Sequence, residues 1–227
     1  MKKIVLYILC CIYCVGLSSH NIVKTDSGII SETCGMVVEI SFYTPSVVRI
    51  VKYPVQTKPQ KESLVIIKKK EVVDWRLDSL SRNEFFLMSN QMKVGYNRTT
   101  GKISFFSTNG SSLLTEKDYG TQFTKRRDAK ECSYEVRQAF MLDSTEPIYG
   151  LGQHQKGLMN QRNQKLYLRQ QNTQICIPFF QSIKGYGVYW DNYSPTTFID
   201  NPQELSFTSE VGACSDYYFM YGKTMDG

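Results

Sequence analysis

Histidine and tryptophan are scarce in this chain of 227 residues, with two of each, and the shortage narrows the chemistry open to it. His20 falls beside a predicted leader cleavage point, which leaves His154 as the one histidine well inside the domain. A His-based zinc site therefore lacks partners, and an epimerising site built on two histidines is excluded. A Ser-His-Asp relay has no G-x-S-x-G elbow to carry its nucleophile, so His154 reads as a satisfied structural residue. No close cysteine pair in the mature chain has zinc-ligand spacing. The dinucleotide fingerprint is missing too: four residues, not two, separate Gly152 from Gly157, and no helical pattern follows. Neither a cofactor nor a metal is expected.

Charge of one sign is also in short supply. The formal net charge of +6 falls to +4 once Lys2 and Lys3 are cleaved away, 25 basic against 21 acidic residues, too mild an excess to imply nucleic acid. No apolar run reaches the roughly 20 residues of a membrane span. The longest, Ile4 to Leu17, follows two lysines and precedes the small residues Ser18 and Ser19, the pattern of a secretory leader over residues 1–19. The expectation is export, periplasmic or extracellular, with one domain over residues 20–227. Neither Cys10 nor Cys14 follows a small-residue pair, which argues against lipidation. Cys11-Ile12-Tyr13-Cys14 spells a redox pair, but it lies in the leader without a βαβ setting. Four cysteines remain, Cys34, Cys132, Cys176 and Cys214. They permit disulfides in three connectivities or serve as small apolar residues, and the pairing stays open.

What is abundant is material for a core: 41% hydrophobic residues, 12 Phe and 15 Tyr against 21% charged. From residue 30 onward, runs rich in Val, Ile, Phe and Tyr are broken by Gly, Asn, Ser and Pro every eight to twelve residues, the signature of an all-β sandwich or barrel. Predicted strands include Met36 to Phe42, Val47 to Tyr53, Leu64 to Ile67, Glu84 to Met88, Met92 to Tyr96 and Lys102 to Phe106. Tyr134 to Met141, Ile148 to Leu151, Leu166 to Leu168, Ile175 to Phe179, Tyr186 to Trp190, Thr197 to Ile199, Glu204 to Thr208 and Asp216 to Tyr221 follow. Asn97 to Gly101 and Thr108 to Ser111 supply hairpin turns. The one helical candidate is a single turn around Ala129 to Glu131. Pro54 to Lys61 and the basic run Lys68-Lys69-Lys70 read as exposed loop and solvated edge.

The densest cluster of unusual residues is Tyr149-Gly150-Leu151-Gly152-Gln153-His154-Gln155, followed by Arg169 to Thr173. Amide side chains offer donors and an acceptor in one plane, and sugar faces stack on aromatic rings. Gln153, Gln155, Gln170, Gln171 and Asn172, with Tyr149, Tyr167, Tyr186, Tyr189 and Trp190 nearby, thus permit a carbohydrate-facing surface. The alternative is that the amides bond their own loops and the rings fill the sandwich. Glycoside chemistry needs two carboxyl groups facing across a pocket. The spacing of Asp191, Asp200, Glu204, Glu210 and Asp216 selects no such pair, so no catalytic residue is nominated.

Taken in order, Tyr149 to Gln155, Gln171 to Ile175, Ile177-Pro178-Phe179, Ser182, Gly185-Tyr186-Gly187 and Trp190 to Ser194 resemble the N-terminal domain of glycoside hydrolase family 31. The branch they are most similar to is that of the α-xylosidases and their α-glucosidase relatives. Upstream, Phe86 to Met88, Lys102 to Phe105 and Gly110 to Glu116 are similar to that domain's earlier strands. The resemblance implies a galactose mutarotase-like β-sandwich preceding a (β/α)8 barrel, with both catalytic Asp residues on the barrel. Neither barrel motif occurs in this sequence, and the chain by itself is expected not to hydrolyse glycosides. By the same resemblance a loop of the sandwich lines the substrate entrance, which implies Gln171, Asn172 and Thr173 as contacts for an α-linked xyloside or glucoside. A stand-alone secreted carbohydrate-binding module is the alternative expectation.

Overall fold

Alternation of apolar and polar residues becomes strand wherever a neighbour can take up the backbone hydrogen bonds. The clearest case is Met36–Thr44, in which every second side chain is buried. The computed structural model describes residues 22–57, 59, 62–128 and 131–226. The expected leader over residues 1–19 lies outside the described residues, as do residues 58, 60 and 61 of the loop after Pro54. Among the described residues there is no helix, and the strands are β1 Val23–Thr25, β2 Gly28–Thr33, β3 Met36–Thr44, β4 Val47–Pro54, β5 Arg76–Ser79 and β6 Glu84–Met88. They continue as β7 Met92–Asn97, β8 Ile103–Ser107, β9 Ser112–Glu116, β10 Gln122–Asp128, β11 Glu131–Met141 and β12 Ile148–Gln153. The last six are β13 Lys165–Leu168, β14 Ile175–Ser182, β15 Tyr186–Trp190, β16 Thr196–Asn201, β17 Glu204–Gly212 and β18 Ser215–Tyr221.

These strands form two antiparallel sheets. The first runs β1-β2-β3-β4-β18-β15-β14-β12, and the second runs β13-β16-β17-β11-β9-β8-β7-β6-β5, with β10 also paired to β11. Their facing sides make the core, in which Phe105 stacks on Phe219 with ring centroids 3.9 Å apart and Phe207 stacks on Trp190 at 5.6 Å. The all-β sandwich expected from the sequence is the fold observed. The two hairpins are present as well: Asn97 to Gly101 joins β7 to β8 and Thr108 to Ser111 joins β8 to β9, with left-handed glycines at Gly101 (φ 73°) and Gly110 (φ 88°).

One polar cluster spans the core. Lys52 on β4 reaches across to Glu116 on β9, Nζ to Oε2 2.5 Å, and both side chains are only 1% exposed. The Lys52 ammonium also donates to Gly101 O (2.9 Å) and Thr121 Oγ1 (3.1 Å). Glu116 accepts from the Ile103 amide (2.7 Å) and from Tyr217 OH (2.7 Å). Every polar atom of the pair is thus partnered, the condition for tolerating a buried ion pair.

Three expectations change. Leu64 to Ile67 is not a strand: Leu64 and Ile67 are 78% and 94% exposed, and the Leu64 amide donates to Tyr193 OH (2.7 Å) while the Ile66 amide donates to Ser63 Oγ (3.0 Å). High β propensity there has no neighbouring strand to act on. This segment is tied to the outer face of the first sheet, where the Glu71 amide donates to Tyr43 O (2.9 Å). Second, Glu131 opens β11 and pairs with Asp128, so it belongs to a hairpin arm instead of a helical turn; residues 129 and 130 lie outside the described residues. Third, β1, β2, β5, β9 and β10 are strands that the apolar pattern does not announce. In β10, the polar sequence Gln122 to Asp128 is held by its full register with β11.

Candidate functional site

The glycine-rich cluster builds an edge. β12 ends the first sheet, and three consecutive residues, Gly150 (φ 114°), Leu151 (φ 65°) and Gly152 (φ 93°), take positive φ. The pairing with β14 slips there, from Gly150↔Phe180 to Gly152↔Cys176, making a bulge. Glycine is required at Gly152, where a Cβ would lie 1.9 Å from Ile175 O. His154 braces the bulge through Nε2, 2.9 Å from Leu151 O. That contact is the kind a structural histidine makes.

Between this bulge and β14 the chain crosses to the second sheet as β13 and returns through a tight turn. Gln171 pairs with Gln174 across that turn, and Gln171 Nε2 donates to Gln174 Oε1 (2.8 Å). Thr173 sits at φ 70°, its hydroxyl donating to Asn172 O (2.6 Å). Gln170 Oε1 accepts from the Cys176 amide (3.1 Å) and anchors the turn to β14. Gln171, Asn172 and Thr173 are all exposed, as are Gln153, Gln155 and Gln170. Beside the turn, Gly150 to Gln153 and the side chains of Ile175, Ile177 and Phe179 enclose a groove of about 350 Å³. Ile175 and Ile177 are 47% and 50% exposed. Amides next to an apolar ledge present hydrogen bonds and a flat surface together, the combination a sugar ring uses. The sequence reading missed this ledge, although Ile175 and Ile177, two residues apart before a proline, are the signal for it.

The aromatic half of the expected cluster divides. Trp190 is fully buried, stacked on Phe207, with Nε1 donating to Ser209 Oγ (2.8 Å). Tyr186 is buried, its hydroxyl bonded to Glu146, and burial, with Glu146 adding, pushes its phenol well above the ordinary value of 10.0. Tyr189 is 8% exposed. Tyr149 on β12 is half-buried, and Tyr167 is the most displayed of the five rings, donating to Glu210 Oε1 (2.6 Å). The core claims the rings that a carbohydrate platform centred on Trp190 would need.

The carboxylates have structural partners. Asp216 takes a bidentate pair from Arg49, Nε–Oδ1 2.9 Å and Nη2–Oδ2 2.7 Å. Asp200 accepts from Arg162 Nε (2.9 Å). Glu204 lies between Lys117 and Arg137; burial opposes its ionisation, but the two cations hold its carboxyl below the usual range. Asp191 is buried at the end of β15, where its amide donates to Asp216 O (2.9 Å). Among the described residues no three His, Cys, Asp or Glu side chains gather as a metal site. Cys34 and Cys176 are free thiols and Cys214 is buried; the side chain of Cys132 lies outside the described residues.

Residues 37–198 match the glycosyl hydrolase 31 N-terminal galactose mutarotase-like domain. An α-xylosidase of Saccharolobus solfataricus is 32% identical over 198 residues, covering 83% of this chain and 26% of that protein. The chain thus spans about a quarter of the length of this curated relative. Among solved structures, the family 31 α-xylosidase of Xanthomonas citri superposes with a TM-score of 0.81 at 15% identity, over 87% of this chain and 38% of the other. One from a soil metagenome, complexed with xylose, gives 0.79 at 19%, over 89% and 32%. The family match over most of the chain, the identity to the α-xylosidase and the shared fold agree, and this chain belongs to glycoside hydrolase family 31 as its N-terminal galactose mutarotase-like domain.

Proposed function

We propose that this domain is the non-catalytic, entrance-lining part of an exported α-glycosidase acting on α-linked xylosides or glucosides, with Gln171, Asn172 and Thr173 contacting the sugar. The observation that carries this reading is the solvent-facing amide turn beside the groove at Gly150 to Gln153. Retaining glycosidases need two carboxyl groups about 5–5.5 Å apart across the scissile bond. Here Asp200, Glu204 and Asp216 are held by arginine or lysine, and Glu210 by Tyr167. The catalytic pair is then supplied by a (β/α)8 barrel acting with this domain. The α-xylosidase relatives and the xylose in one structural neighbour support the substrate class, and the leader pattern expected from the sequence over residues 1–19 is the ground for export.

The test is kinetic. In the native polypeptide that carries this domain, Asn172→Ala raises KM for an aryl α-xyloside about fivefold, the worth of one lost hydrogen bond, with kcat little changed. The exposed turn leaves the melting temperature where it was. An unchanged KM removes these residues from the substrate path.

A further inference from the structure

A second concavity lies at the open end of the sandwich, on the β3–β4 side, with β18 and β15 between it and β14. It measures about 490 Å³, within the range of small-ligand sites. The first sheet contributes the Cys34-Gly35 turn, Pro54 and Gln56; the second contributes Thr100 and the stretch from Tyr119 into β10. Its back wall is the edge-on pair Phe123 and Tyr134, centroids 5.8 Å apart.

Three features distinguish this cleft from a packing defect. Tyr119 stands on its rim 60% exposed and at φ 53°, a left-handed conformation that a bulky aromatic residue rarely adopts and that costs free energy. Cys34, on the opposite sheet, is also left-handed, at φ 50°. The floor is fixed: Thr121 accepts from the buried Lys52 ammonium (3.1 Å) and donates to Gln138 Oε1 (2.6 Å), so the ion pair that joins the sheets also holds the cleft open. Among the described residues the wall carries aromatic rings, the amides of Gln56 and Gln122, and one charged group, Lys125. Rings for stacking and planar amides, with no carboxylate among the described lining residues, suit a neutral, hydroxyl-rich ring.

From this geometry we infer that the cleft is a sugar-binding site, separate from the turn at Gln171 to Thr173, that takes one ring of a neutral saccharide against Tyr119. It depends on neither Asn172 nor any catalytic group.

Cys34 is an exposed thiol on the rim and reports occupancy. The chain is labelled with a maleimide in the presence of xylobiose or maltose, and modification is read on the Cys34 peptide by mass spectrometry. Saturable protection at millimolar sugar is expected. Tyr119→Gly removes the ring while suiting the left-handed backbone; it should fold normally and weaken protection about tenfold. Gln122→Ala should weaken it less, and Asn172→Ala not at all. Absence of protection by either sugar, or protection undiminished in Tyr119→Gly, overturns the assignment. Protection lost in Asn172→Ala but kept in Tyr119→Gly overturns it as well, and moves the sugar to the turn beside β14. The KM test of Asn172 stands or falls separately.

Discussion

Replacing Glu116 by glutamine perturbs an ion pair that crosses the core. The carboxamide oxygen can take the place of Oε2, which accepts from Lys52 and from the Ile103 amide, and the amide nitrogen can take the place of Oε1 facing Tyr217 OH. Shape and most hydrogen bonds survive; what disappears is the charge opposite a side chain that is 1% exposed. Breaking a buried pair in this way costs about 3–5 kcal/mol, a large part of the 5–15 kcal/mol by which a domain is ordinarily stable. The loss is pH-dependent. Burial pushes the Lys52 ammonium down from its ordinary 10.5, and Glu116 pulls it back; without Glu116 it falls further. A lysine with a depressed folded pKa holds fewer protons folded than unfolded between its folded value and 10.5, so stability rises with pH across that window. Parent and variant both gain stability with pH in this way, the variant over a window that begins lower, so the difference between them narrows, by up to about 1.4 kcal/mol per unit, between the variant's folded value and the parent's. Urea unfolding of parent and variant, followed by circular dichroism at pH 7 and again near pH 9.5, measures both effects. Buried phenols such as Tyr96, which burial raises to about 12, are common to both proteins, so only the difference matters. A loss below about 1 kcal/mol at pH 7, or one that does not narrow as pH rises, refutes the reasoning.

Two further outcomes follow from burial and backbone. Trp190→Ala removes a fully buried indole and one of the two side-chain partners of Ser209 Oγ, at a cost of about 3–5 kcal/mol; thermal melting should show a domain folded poorly or not at all, and a native melting curve would place Trp190 outside the core. Gly152→Ala sets a Cβ against Ile175 O at φ 93°. It should cost at least about 2 kcal/mol and release the β12 amides to hydrogen exchange, whereas unchanged protection there would mean that the bulge does not depend on glycine.

Fold class and family were legible in the order of the residues alone. Period-two alternation in Met36 to Phe42 or Glu204 to Thr208 needs only a neighbour on either side, and turns such as Asn97 to Gly101 carry their own backbone chemistry. The ordered motifs from Tyr149 to Ser194 were legible because glycine, proline and amide positions are set locally. Burial and partnership were decided by the tertiary structure. Nothing in Leu64 to Ile67 tells that no strand lies beside it, and nothing in Gln122 to Asp128 tells that one does. Trp190 and Asn172 looked equally available for sugar until the sandwich closed over the indole and left the amide in water. Lys52 and Glu116 are far apart in the chain and meet, and Cys34 and Tyr119 come to line one cleft, because two sheets face each other. Local sequence encodes conformation, while the identity of the facing side chain is a property of the assembled core.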